Sequence, residues 1–141
     1  PGDIGALSKM ADPQRYIDPE FMRKNFEALY GGETDGSDGH IGRILPPSRT
    51  GYLYQLGAMA GWTSVPFLPL LKAETLVMMG DADRIVPLVN GKFLASLIPN
   101  ARLEIVAGGG HLFLVSRAAD VVPVIRDFLD ADLKAQTRRA A

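Results

Sequence analysis

Two side chains stand where acid–base chemistry is possible. Asp83 lies three residues beyond the apolar run that ends at Gly80, and His111 follows Gly108-Gly109-Gly110. A carboxylate can hold an imidazole in one tautomer and stabilise its cation, while the imidazole takes a proton from a hydroxyl nucleophile. The triple glycine lets the backbone turn tightly ahead of the histidine. Asp81 competes for the acid's role, because it too lies just past the apolar run. The plainer alternatives are that the acid caps the following turn or helix and that His111 is an ordinary loop histidine. Spacing and order together favour chemistry, since acid and then histidine, late in the chain, is the order of a triad whose serine comes first. His40, within Ser37-Asp38-Gly39-His40, reads as a solvated loop residue.

The partner nucleophile is missing. A nucleophile elbow needs Gly-x-Ser-x-Gly between a strand and a helix. None of the six serines (8, 37, 48, 64, 96 and 116) has glycine two residues away on both sides. Ser64, flanked at that distance by Trp62 and Pro66, reads as a helix cap. With no cysteine in the chain, thiolate chemistry and disulfides are excluded. No His-Glu-x-x-His run suggests a metal, and no Gly-x-Gly-x-x-Gly follows a strand, so no cofactor is expected.

The elements that must position the two residues are legible in outline. Thr75 to Met79 is apolar at consecutive positions, the pattern of a strand covered on both faces in a parallel sheet. Pro87 to Ile98 has the length of a helix. Arg102 to Val106 begins by alternating polar and apolar residues, which suits a strand at or near an edge. Asp120 to Leu129 predicts the last helix, with Pro123 early enough to cost no hydrogen bond, and the polar stretch 134–141 reads as a frayed tail. In open parallel sheets, reactive groups sit on loops leaving the carboxyl ends of strands. Neighbouring strands would therefore bring Asp83 and His111 to one edge.

Upstream the pattern is helical. A short helix fits residues 1–12. Asp18-Pro19 predicts a start and Gly31-Gly32 a stop for a helix with Phe21, Met22, Phe26, Leu29 and Tyr30 on one side. Residues 31–51 read as a glycine- and proline-rich lid loop, Tyr52 to Ala60 as a helix ending at Gly61, and Val65 to Leu71 as a short apolar helix. The chain thus divides near residue 72: a helical cap or lid segment over 1–71, strand–helix units over 72–133, and the tail. The class is α/β.

Composition sets outer bounds. The 141 residues suit one domain, and 15 basic against 16 acidic residues, without long blocks, give no nucleic-acid footprint. No apolar run approaches the roughly 20 residues of a membrane helix. The absence of cysteine and of a basic-then-apolar leader fits a cytoplasmic protein, and the opening Pro1-Gly2-Asp3 reads as the start of a truncated chain.

The Gly80-Asp81-Ala82-Asp83-Arg84-Ile85-Val86-Pro87 and Gly110-His111 segments resemble the acid and histidine motifs of α/β-hydrolases. A narrower resemblance runs from about Arg15 to Leu129. Tyr30-Gly31-Gly32, Gly51-Tyr52, Gly61-Trp62-Thr63-Ser64, Pro87-Leu88-Val89-Asn90, Ile98-Pro99-Asn100-Ala101, Gly110-His111-Leu112-Phe113-Leu114 and Arg117-Ala118 together resemble intracellular poly(3-hydroxyalkanoate) depolymerases. That resemblance implies the carboxyl-terminal part of an α/β-hydrolase fold, two strands of its parallel sheet preceded by a helical cap. It implies Asp83 as orienting acid and His111 as general base, with the serine and oxyanion hole outside this chain. The substrate it implies is a hydrophobic storage polyester, met at a granule surface. Trp62 and Phe113, with Tyr52, Tyr54 and Phe67, are candidates to line a substrate channel or touch the granule, against the plainer reading that they pack cap on core. The alternatives are a small-ester or dehalogenase-type hydrolase and a non-catalytic polyester-binding module. The chain alone is expected to be inactive and poorly soluble.

Overall fold

The computed structural model describes residues 3–14, 18–32, 41–43, 45 and 47–140. The acidic, glycine-rich part of the expected lid loop at 33–40, His40 included, lies outside the described residues.

Two parallel strands form the sheet. β1 (Thr75–Gly80) pairs with β2 (Ala101–Val106) in a register that sets Thr75 beside Ala101 and Gly80 beside Val106. The strands leave in the same direction, so the loops carrying Asp83 and His111 emerge side by side. α4 (Leu88–Leu97) joins them and covers the face that bears Val77 and Met79. Its Gly91 admits that contact: a Cβ there would stand 2.1 Å from Met79 Cγ. The opposite face bears Met78 and Val106. There Phe113, from the four-residue α5 (Phe113–Ser116), and Val121 and Ile125, from α6 (Ala118–Ala140), close a second cluster. Farther along that face the Arg102 guanidinium lies 5.9 Å from the centre of the Phe128 ring. The consecutive apolar run of β1 is thus explained by cover on both faces.

The helices before the sheet begin where caps allow. α1 (Ile4–Ala11) starts at Asp3, whose carboxylate accepts from the N–H groups of Gly5 and Ala6. α2 (Pro19–Tyr30) starts at Asp18, which accepts from Glu20 N–H at 2.9 Å, and stops at Gly31 with φ 68°. Met22, Phe26, Leu29 and Tyr30 are its buried face. With Ile41 they form the first core cluster, and Ile85 of the acid loop and Leu112 of the histidine loop pack against it. Helix and loops are therefore one packed unit.

Several local expectations change. α3 (Arg49–Ala60) begins three residues before Tyr52, inside the stretch assigned to the loop, because Ser48 Oγ accepts from Gly51 N–H. The short apolar helix expected over Val65 to Leu71 is a 3-10 helix over Val65–Leu70, which suits a stretch with Pro66 and Pro69. Ser64 makes no side-chain cap bond there; Thr63 Oγ1 accepts from Val65 N–H at 3.3 Å instead. α6 starts at Ala118, two residues before the expected Asp120, so Pro123 falls inside the helix and leaves the Ala119 carbonyl without its i+4 donor. The same helix continues to Ala140 through the residues read as a tail, a stretch without glycine or proline. Among the described residues no helix is long and apolar enough to cross a membrane.

Candidate active site

The loop after β1 is built around one carboxylate. Asp83 Oδ1 accepts from the N–H groups of Ile85 and Val86, at 2.8 and 2.9 Å, which closes the turn that leads to α4. Its other oxygen, Oδ2, lies 2.9 Å from His111 Nδ1. Capping and pairing were rival readings in the sequence, and the same side chain does both. The carboxylate is almost fully enclosed, 5% exposed, while the imidazole is 34% exposed. Three bonds to one buried carboxylate compensate its lost hydration. With the proton on Nδ1 donated to Asp83, Nε2 is the ring nitrogen left to accept one.

Asp81 has a different task. Its Oδ1 accepts from Gly108 N–H at 2.7 Å, tying the acid loop to the loop after β2. Ala82 N–H adds a bond to the Gly109 carbonyl, and Asp81 N–H one to the Val106 carbonyl. The two loops are laced by their backbones, and Asp83 alone of the two acids faces the histidine.

A third segment enters that sequence reasoning treated only as a helix stop. The His111 N–H donates to the Tyr30 carbonyl at 2.6 Å. Gly31 and Gly32 both have positive φ, 68° and 66°. A Cβ on Gly31 would lie 2.1 Å from the Ala82 carbonyl oxygen, and one on Gly32 would lie 2.3 Å from Gly110 N. Gly110 in turn has no room for a side chain, since the Gly31 oxygen would be 2.0 Å from it. The end of α2 is thus wedged backbone-to-backbone between the acid and histidine loops. The only sequence signal was the pair of adjacent glycines.

The remaining candidates are distributed elsewhere. Phe113 is buried, in a cluster with Val106 and Val121. Trp62, Tyr54 and Phe67 are exposed, Trp62 by 75%. Tyr52 is half-buried and its hydroxyl donates to the Ala11 carbonyl. Among the described residues no serine hydroxyl is hydrogen-bonded to His111; those of Ser96 and Ser116 donate to carbonyls of their own helical turns. No group of three or more His, Asp or Glu side chains is placed to hold a metal ion among the described residues.

This arrangement can orient an imidazole and neutralise the charge it gains on accepting a proton.

Comparison with known proteins gives matches in sequence and in fold. A family model described as alpha/beta hydrolase fold matches residues 37–118. A poly(3-hydroxyalkanoate) depolymerase of Ectopseudomonas oleovorans is 38% identical over 136 residues, which cover 94% of this chain and 48% of that protein. A 2-hydroxymuconate semialdehyde hydrolase of Pseudomonas putida is 34% identical over 86 residues, 61% of this chain and 29% of that protein. In fold, an esterase from Exiguobacterium antarcticum superposes with a TM-score of 0.71 at 16% identity, over 89% of this chain and 47% of its own. A thermophilic esterase from Thermogutta terrifontis gives 0.63 at 22% identity, over 90% of this chain and 50% of its own. The chain spans about half the length of the depolymerase and of both esterases.

Proposed function

Because this chain belongs to the alpha/beta hydrolase fold family, we propose that it is the acid-and-base half of a serine ester hydrolase that acts on poly(3-hydroxyalkanoate). The observation that carries this reading is the 2.9 Å contact between Asp83 Oδ2 and His111 Nδ1, on loops from the carboxyl ends of adjacent parallel strands. The polyester is favoured as substrate by the depolymerase relative, whose similarity runs through nearly the whole chain.

In the proposed reaction, His111 Nε2 takes the proton of a serine hydroxyl supplied from outside these 141 residues. The serine oxygen attacks the ester carbonyl, and the imidazolium is stabilised by Asp83. His111 then protonates the departing alcohol, leaving an acyl-enzyme. Water, deprotonated by the same ring, releases the acid and restores the serine. Trp62, at the carboxyl end of α3, is proposed to meet the apolar polymer, and a cytoplasmic site of action at a storage granule follows from that substrate. The segment up to 71 is assigned as the cap and 72–133 as the core.

The test is hydrolysis by the full protein that carries this chain, assayed on polyester granules and on short aryl esters. Preferential release of hydroxyacid from granules, lost in His111→Ala, is expected. Preference for aryl esters would favour the small-ester alternative. Granule binding without turnover in the unaltered protein would overturn the catalytic reading.

A further inference from the structure

Asp83 alone underdetermines the imidazole. One hydrogen bond at Nδ1 restrains the χ1 and χ2 rotations of the side chain, but its broad angular tolerance leaves the ring plane loosely set. Tyr30 supplies the missing constraint. Its ring lies nearly parallel to the imidazole, with an interplanar angle of 14° and centres 6.2 Å apart, an offset arrangement within the roughly 4.5–7 Å range of aromatic pairs. Its carbonyl accepts the His111 N–H, so one residue holds both the backbone and the ring of the histidine. Tyr30 is itself immobilised: it is 5% exposed, and the Phe26 ring backs it at 4.9 Å with a tilt of 52°.

We propose that Tyr30 is a positioning residue for His111, setting the plane of the imidazole while Asp83 sets its rotation and tautomer. The proposal rests on the catalytic assignment of His111 made above. It also gives the helical segment a part in proton transfer: α2 ends on the base. The geometry around Gly31 and Gly32 fits this role. With no room for a Cβ on either glycine, the helix end approaches the histidine loop closely enough for its last side chain to lie along the ring. Orientation effects of this kind are large, since misplacement by about 1 Å can cost about 100-fold in rate.

The experiment uses the full protein and two readouts: steady-state ester hydrolysis, and the low-field proton resonance of the His111 Nδ1–H bonded to Asp83. Tyr30→Leu keeps apolar volume and the carbonyl but removes the ring. It is expected to lower kcat about 10- to 100-fold with KM within about twofold, and to broaden or shift the resonance. Tyr30→Phe restores the ring and should recover most of both signals. A Tyr30→Leu protein with an unchanged resonance and kcat overturns the proposal, as does a loss that Tyr30→Phe fails to recover. Should Tyr30→Leu not fold, Phe26→Leu removes the ring behind Tyr30: a perturbed resonance supports the proposal and an unperturbed one overturns it. If the unaltered full protein hydrolyses no ester, the catalytic reading falls, and the resonance still decides whether Tyr30 orients the ring.

Discussion

At Asp83 the two carboxylate oxygens divide the labour, one closing a turn and the other facing His111. An amide at this position keeps the size but presents a donor where the imidazole also donates, which favours the wrong tautomer. Asp83→Asn in the full protein is expected to cut kcat by about 10,000-fold, by analogy with the serine triad. Asp81→Asn, which retains an oxygen for Gly108 N–H, should stay within about tenfold in the same assay. A larger loss for Asp81 than for Asp83 would reverse the assignment. Gly32→Ala combines a positive φ with a Cβ 2.3 Å from Gly110 N, a backbone atom that cannot step aside. It should destabilise by roughly 1–3 kcal/mol in denaturant unfolding. That an acid past the first strand meets His111 was legible from spacing and order. The choice between Asp81 and Asp83 was not legible from the residues alone, because both lie past the same strand end and only the fold decides which faces the ring.

Elements were readable where their ends carry chemistry. α2 announces itself by Asp18-Pro19 and Gly31, and its apolar spacing named Met22, Phe26, Leu29 and Tyr30, which are buried, together with Phe21, which is half-buried. α3 was harder: its cap, Ser48, stands beside prolines and glycines that argue for a loop. What no periodicity encodes is the docking of α2 between two loops, since that contact is made by backbones with glycines on both sides. The apolar anchor behind the docking is Leu29, fully buried in the first cluster beside Met22 and Phe26. Leu29→Ala is expected to cost about 2–5 kcal/mol in stability, with a fall in ester hydrolysis as the helix end loosens from the histidine loop. Full activity at undiminished stability would show that α2 is not the support of the site.

On the scale of the molecule, β1 has one strand partner among the described residues, β2, and so presents an unpaired edge. Leu53, Tyr54, Met59, Trp62, Phe67 and Leu70 are exposed on and beside α3 and the 3-10 helix. An open edge and exposed apolar surface both favour association. The 141 residues alone should bind a hydrophobic dye strongly and aggregate on warming, whereas a sharp reversible thermal transition would contradict this. The partial hydrolase fold was legible in the order of the acid and histidine motifs, the lack of a Gly-x-Ser-x-Gly elbow and the consecutive apolar run of β1. The hydrogen bond from His111 N–H to the Tyr30 carbonyl bears on the order of folding. The acid and histidine are joined across 28 residues, a local strand–helix–strand closure. Tyr30 reaches the same histidine across a segment nearly three times as long, at a further entropic cost of about 1 kcal/mol. On loop-closure entropy alone the paired side chains are expected to meet before Tyr30 arrives, so that Tyr30 would convert a formed pair into an oriented one.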